Sequence, residues 1–141
     1  MKKACVLLVT LLLLASCSSA KTEKEQNADL RIVDAVISIG GVNNSNDKQK
    51  LNYAFTISNE GKLLLQKDSI QIMLNNWTRK KSIENKITEK NCRRDSISIK
   101  GYVIFSSKDV QKEEIAINEP LITGIKMKKE NGKEVIVKYY K

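Results

Sequence analysis

The chain has 141 residues, and its 25 lysines and arginines against 16 aspartates and glutamates give a formal net charge of +9. It contains three cysteines and no histidine. The lack of histidine excludes the commonest general base in enzymes and most zinc sites.

The first residues have the parts of an export signal. Two lysines precede an apolar run over residues 4–15, and small residues follow it. The run is shorter than the about 20 residues that a membrane span requires. Residues 14–17, Leu-Ala-Ser-Cys, resemble the lipobox of bacterial lipoproteins. The resemblance implies that residues 1–16 are a signal peptide and that Cys17 is acylated as the new N-terminus. The alternative is an ordinary secretory signal cut nearby, with Cys17 incidental.

The resemblance also implies a location in the cell envelope. Several acyl chains on Cys17 would hold the protein at a membrane, whereas a single chain binds reversibly. Ser18 stands where an aspartate would retain a lipoprotein at the inner membrane, which favours the outer membrane. Residues 17–29 are polar after the cysteine and predict a flexible tether. Residues 30–141 are long enough for one domain.

From residue 30 onwards, apolar residues recur with period two, as is typical of half-buried strands. The pattern predicts strands over residues 33–39, 51–58, 70–74, 97–105, 115–117, 121–128 and 135–139. Gly40-Gly41, together with residues 43–47, marks a turn after the first strand. Asn131-Gly132 predicts a hairpin with a type I′ turn, because both residues tolerate positive φ. Gly101 falls in the inward phase of its strand, which predicts a bulge or a close approach of another backbone.

About seven short strands with almost no helical periodicity predict an all-β, antiparallel β-sandwich. A small closed barrel is the alternative. Residues 52–61, Asn-Tyr-Ala-Phe-Thr-Ile-Ser-Asn-Glu-Gly, and residues 100–105, Lys-Gly-Tyr-Val-Ile-Phe, resemble the immunoglobulin-like domains of bacterial envelope lipoproteins. The resemblance implies that the first segment is an early core strand and that the second lies in the opposite sheet. It implies no activity, because such domains have many unrelated roles.

The segment 77–95 is predicted to be a long basic loop between strands, in which Ile83 and Ile87 could form a short strand or a helical turn. Residues 78–95 contain seven basic and three acidic residues, a net charge of +4. Long loops in compact domains are often functional. The candidate residues for binding a partner are Trp77, Arg79, Lys80, Lys81, Arg93 and Arg94.

The sequence predicts no catalytic residue, no metal site and no cofactor. Cys92 is the one thiol left after cleavage, and it lacks an imidazole to activate it. Arg93 and Arg94 could lower the pKa of that thiol, and the alternatives are a tolerated free cysteine or an intermolecular disulfide. Carboxylates can act alone in glycosidases, but Glu113-Glu114 and the pair Glu84 and Glu89 lie in charged surface contexts. No phosphate-binding or calcium-binding loop pattern is present.

Two further patterns each have a functional and a structural interpretation. The Asp-Ser-Ile triplets at 68–70 and 95–97 resemble acceptor sites for O-glycosylation in some Gram-negative envelopes, or are polar turns before a core isoleucine. The scarce aromatic residues Trp77, Tyr102, Tyr139 and Tyr140 could form a small carbohydrate platform or pack within the fold.

Three functional hypotheses follow. Export argues against nucleic acid as the partner of this basic chain. A basic tethered domain is suited to bind anionic lipid, an anionic polymer or an acidic protein, although the charge also contributes to solubility.

The first hypothesis is a non-enzymatic, membrane-anchored envelope lipoprotein that binds a protein or polymer partner through residues 77–95. The second is a periplasmic inhibitor or immunity protein against an acidic toxin or hydrolase, and the third is an enzyme that uses carboxylates alone.

Overall fold

The computed structural model describes residues 29–140. The predicted signal peptide, Cys17 and most of the predicted tether lie outside these residues. Within this range, seven strands and two short helices follow one another along the chain: β1 Leu30–Val42, β2 Ser45–Asn59, β3 Leu65–Leu74, α1 Asn76–Lys81, β4 Ser82–Cys92, β5 Ser96–Ser106, α2 Lys112–Ile117, β6 Ile122–Lys129 and β7 Glu134–Lys138.

The strands form two antiparallel sheets, which confirms the predicted β-sandwich. One sheet has the order β1-β2-β5-β4 and the other has the order β3-β6-β7. These are the orders A-B-E-D and C-F-G of the seven-stranded immunoglobulin-like sandwich. Two separate sheets with open edges exclude the closed barrel. Residues 100–105 pair directly with β2 in the same sheet, so the implied placement of this segment in the opposite sheet is wrong.

The core lies between the two sheets and is filled by alternate residues of each strand. In β2, Leu51, Tyr53, Phe55 and Ile57 are at most 3% exposed, as the alternation over residues 51–58 predicts. Each such side chain contributes about 1.5–3 kcal/mol on burial. The neighbouring strand and the facing sheet complete the core with Ile97, Ile99, Val103, Phe105, Ile72, Ile122, Ile125, Met127, Val135 and Val137.

Gly101 confirms the predicted close approach of another backbone. A side chain at this buried position would overlap the carbonyl oxygen of Lys86 in β4 and the ring and hydroxyl of Tyr53 in β2. The Tyr53 hydroxyl donates a hydrogen bond of 3.2 Å to that same carbonyl. Burial raises the pKa of Tyr53 to about 12. Because Gly101 has no side chain, Tyr53 of β2 can contact the Lys86 carbonyl of β4 across β5, the strand between them.

The first strand is longer than its sequence pattern predicts and changes phase once. A bulge after Ile32 leaves Val33 51% exposed, so Ile32 and not Val33 packs against the core. The strand also continues through Gly40 and Gly41, so these two glycines are not part of the turn, whereas the predicted segment 43–47 does contain it. The turn lies at residues 43–44, where Asn44 adopts a φ of 63°, a left-handed conformation that asparagine tolerates better than most residues.

The segment 115–117, predicted to be a strand, is part of the short helix α2. Ile115 is 7% exposed and packs in the core, whereas Ile117 is 82% exposed. Two isoleucines separated by one residue predict a strand, because in a strand both side chains lie on the same face. In α2 the same spacing places them on different sides of the helix.

The C-terminal hairpin forms as predicted, but its turn is not of type I′. The N–H of Gly132 donates to the carbonyl of Lys129 at 2.9 Å, and the N–H of Lys129 donates to the carbonyl of Lys133 at 2.9 Å. Gly132 has a φ of 84°, and Asn131 is not among the residues with positive φ. This is a type I turn followed by a glycine bulge, the common three-residue hairpin loop.

Candidate binding surfaces

The segment 77–95 is not a loop. Its first part is α1, its middle is the edge strand β4, and only residues 93–95, called the basic turn below, connect strands. The edge strand is exposed on both faces except for partly buried Ser82, Ile87 and Cys92. An exposed strand has no apolar face to alternate with a polar one, so its sequence does not carry the period-two signal.

The structure does not bring the two groups of candidate residues together. Ser82, at the start of β4, pairs with Phe105, while Cys92, at its end, pairs with Ile97. At about 3.3 Å per residue, the ends of this 11-residue strand lie roughly 30 Å apart. Residues 79–81 therefore lie at one end of the sandwich, and Arg93 and Arg94 lie at the other.

Asn75 fixes the position of α1. Its side-chain oxygen accepts a hydrogen bond of 2.7 Å from the N–H of Thr78, which caps the start of the helix. Its side-chain amide donates to the carbonyls of Asn118 at 2.5 Å and Pro120 at 3.1 Å. The same asparagine thereby ties α1 to the connection that follows α2. We call α1 and α2 together the helical end of the domain.

Trp77 joins the two helices and is not a free ring. Its indole lies edge-on to Phe105, with ring centroids 5.9 Å apart, and its Nε1 donates a hydrogen bond of 2.8 Å to Oε1 of Glu114 in α2. The ammonium of Lys81 lies 4.0 Å from the same carboxylate oxygen and 5.4 Å from the centre of the indole ring. Trp77 and Lys81 therefore support the helical end rather than project from it.

Exposed groups of the helical end come from both helices. Arg79 and Lys80 are exposed, and Arg79 donates a hydrogen bond of 2.8 Å to the side-chain oxygen of Asn76. Ile117 in α2 is 82% exposed. Two cations and an exposed apolar side chain, on helices held by the contacts of Asn75 and Trp77, form a surface suited to a protein or an anionic polymer.

The basic turn lies where the chain enters the domain. Leu30, the first residue of β1, pairs with Asn59. The side-chain amide of Asn59 donates to the carbonyl of Arg94 at 3.0 Å and to the carbonyl of Leu63 at 3.0 Å, and its oxygen accepts from the N–H of Leu63 at 2.8 Å. Because Arg93 and Arg94 are themselves exposed, this turn presents two cations at the end of the domain where Leu30 lies. The sequence alternation ends before Asn59 and does not reveal this network.

The aromatic residues do not form a carbohydrate platform. Tyr139 packs edge-on against Phe55 with centroids 5.5 Å apart, and Trp77 lies at the helical end. Tyr102 lies on the outer face of the four-stranded sheet, where it donates a hydrogen bond of 2.8 Å to Glu84 and the Lys50 ammonium lies 4.2 Å from its ring centre. That bond to Glu84 raises the pKa of the Tyr102 hydroxyl, since ionisation would break it and oppose two negative charges.

The remaining candidate groups are dispersed. Cys92 is a half-buried free thiol at the end of β4. Within residues 29–140, no cluster of three or more histidine, cysteine or acidic side chains could hold a metal ion. No helix in that range is long and apolar enough to cross a membrane. The serines of the two Asp-Ser-Ile triplets differ in the hydrogen bonds of their hydroxyls. Ser69 donates to the Gln66 carbonyl at 2.6 Å and accepts from the Lys128 N–H at 2.7 Å. Ser96 donates to the side chain of Asp95 at 3.3 Å.

Neither a protein-family model, nor a curated protein, nor a solved structure matches this chain.

Proposed function

We propose that this chain is a non-enzymatic, lipid-anchored protein of the bacterial cell envelope that binds an acidic protein or an anionic polymer through its helical end. The anchor in this proposal comes from the lipobox resemblance of residues 14–17. The binding surface comes from one structural observation. The chain enters the domain at the end opposite to α1.

The strand topology separates the point where the tether attaches from the helical end. A tether that precedes Leu30 joins the domain beside Asn59 and the basic turn. The helical end lies at the far end of β4, roughly 30 Å away. With a lipid on Cys17, the helical end is the end of the domain farther from the point at which the tether attaches. Arg79, Lys80 and Ile117 are then presented to molecules in the surrounding compartment.

The basic turn suits a second, nonspecific role in this arrangement. Arg93 and Arg94 are exposed at the tethered end, where anionic head groups attract each nearby cation by about 1 kcal/mol. The attraction disappears beyond a Debye length of about 8 Å at physiological salt. The two basic groups that the sequence places in one segment would therefore serve different surfaces, the turn facing the lipid and the helical end facing the partner.

The anchor is tested by replacing the thiol. We expect Cys17→Ser to move the protein from the membrane fraction to the soluble fraction, because the acyl chains attach through that sulfur. Cys92→Ser is the matched control and should leave the protein in the membrane fraction. Cell fractionation with metabolic fatty-acid labelling measures both. An unlabelled wild-type protein, or membrane retention of both variants, would disprove the anchor.

The binding surface is tested by two matched pairs of substitutions. We expect Arg79→Gln with Lys80→Gln to weaken capture of the partner from envelope extract at least tenfold, whereas Arg93→Gln with Arg94→Gln should change capture less than twofold. Each pair removes two exposed positive charges, so net charge is matched. Quantitative affinity capture with identification of the bound material measures the difference. Equal losses for the two pairs would show that net charge, and not the helical end, governs binding.

The inhibitor hypothesis is favoured by the rigidity of the same surface. Trp77, Glu114 and Asn75 hold the helical end in one geometry, and a preorganised surface loses less entropy on binding. If the captured partner is an exported hydrolase or toxin, the wild-type protein should suppress its activity. The variant with Arg79→Gln and Lys80→Gln should then fail to suppress it.

A further inference from the structure

The two edges of the four-stranded sheet are built differently. The edge strand β4 carries charged side chains and two register irregularities, between Ser82 and Glu84 and between Ile87 and Glu89. The side chain of Lys90 reaches the other sheet, where its ammonium donates a hydrogen bond of 3.2 Å to the carbonyl of Lys67 in β3. Charges and bulges on an edge prevent another strand from pairing with it. This edge is therefore protected.

The opposite edge, β1, has its two register irregularities after Ile32 and after Gly41, and the residues between Asp34 and Gly40 lack this protection. Residues 35–39, Ala-Val-Ile-Ser-Ile, contain no charge and no proline, and they pair with β2 without irregularity. Val36 is 59% exposed and Ile39 is 38% exposed. Within residues 29–140, no strand pairs with the free side of β1. A regular, uncharged edge of β-branched residues is a template for a further strand.

A groove runs along the same side of the sandwich. Between β1 and the end of β7 it is an open hollow of about 600 Å³, and a second open hollow of about 350 Å³ continues it between Ile37, Ile39 and Pro120. The two hollows share Ala35 and Tyr139. Five of the eight large apolar side chains exposed on the described part of the domain lie along this side, namely Val33, Val36, Ile39, Ile136 and Tyr140.

The charge of this side differs from that of the rest of the domain. Residues 29–140 contain twenty basic and fourteen acidic residues, a net charge of +6. The groove is lined by two cations, Arg31 and Lys138, and two anions, Asp34 and Glu119, so its net charge is zero. Two copies of a basic molecule repel each other across most surfaces. The neutral side is where they can meet without that repulsion.

We propose that this side is a homodimer interface in which residues 35–39 of β1 pair antiparallel with the same residues of a second copy about a twofold axis. The pairing satisfies the free backbone groups of both edge strands and joins the two four-stranded sheets into one of eight strands. Residues 30–39, 119–121 and 136–140 are close in number to the roughly 20 residues that each copy contributes to a standard interface. The contact is isologous and closed, so it ends at two copies. It does not depend on the lipid anchor.

The test compares two lysine substitutions at equally exposed apolar positions on the two edges. Val36→Lys places a cation on the proposed interface, and Ile83→Lys places one on β4, where the isoleucine is 55% exposed. The full chain is expressed with its own N-terminus and purified from whichever fraction contains it. Sedimentation and native mass spectrometry give the mass, and thermal unfolding confirms that both variants fold.

We expect the wild-type chain and the Ile83→Lys variant to form dimers and the Val36→Lys variant to dissociate at least tenfold more readily. Like charges on directly paired strands oppose each other. A monomeric wild-type chain would overturn the proposal, as would a monomer that retains a peptide or lipid in the groove. Equal dissociation of the two variants would place the contact elsewhere and overturn it as well.

Discussion

The substitution Asn59→Ala is expected to reduce the free energy of unfolding by about 3–5 kcal/mol. The side chain of Asn59 is almost fully buried, with 1% exposure, and it makes three hydrogen bonds to the backbone. Alanine would leave the N–H and carbonyl of Leu63 and the carbonyl of Arg94 without these partners. Each buried polar group left unsatisfied costs about 1–3 kcal/mol.

The size of the effect reflects what Asn59 joins. It ends β2, holds the loop that leads to β3 and binds the turn between β4 and β5. Residues 59–63 and the distant turn at residues 93–95 therefore lose their common contact together.

Denaturant unfolding measures the change, and Asn52→Ala is the matched control. Asn52 lies on the same strand with its side chain exposed on the outer face, where substitutions usually change stability by less than about 0.5 kcal/mol. If the two alanine variants were equally stable, the buried network would contribute nothing and its role in the fold would be disproved.

The substitution Gly101→Ala is expected to destabilise the domain by about 2–4 kcal/mol. The added methyl group would overlap the Lys86 carbonyl and the Tyr53 side chain, so either β4 or the tyrosine must move. Overpacking of a core costs about 1–3 kcal/mol, and displacing the Tyr53 hydroxyl from the Lys86 carbonyl adds the loss of a hydrogen bond.

Gly40→Ala is the control for this prediction, because no atom lies within 4 Å of a side chain added there. It should be neutral or stabilise the domain by up to about 1 kcal/mol, since alanine restricts the unfolded chain. Adding Tyr53→Phe to Gly101→Ala should recover part of the loss, because the clash with the hydroxyl disappears. A double-mutant cycle from thermal or denaturant unfolding measures this coupling, and strict additivity would contradict the close approach.

The sequence predicts those parts of the fold in which one face of a strand is buried. The alternation over residues 51–58 is clear because β2 lies in the middle of its sheet, with its inner face against the core. The Asn131-Gly132 hairpin is predicted for a local reason, because a glycine with positive φ is needed after the turn. Each of these signals comes from residues close together in the sequence.

The parts that the sequence misses depend on partners distant in the chain. β4 is a strand because its backbone pairs with β5, and its two exposed faces give no alternation. The phase change in β1 comes from a bulge after Ile32 that is defined only against β2. For the candidate site, charge density in one segment suggests a single surface. Pairing along β4 instead separates Arg79 from Arg94 by the length of the sheet.

The placement of Leu30 opposite the helical end has a mechanical consequence. A pull between a tether at Leu30 and a molecule held at α1 runs along the strands. The hydrogen bonds of the β1–β2 ladder are perpendicular to the strands, so this force loads them in shear, all at once. A pull across the sheet would open the same bonds one after another. The domain is thus built to resist extension along the direction that joins Leu30 to its helical end.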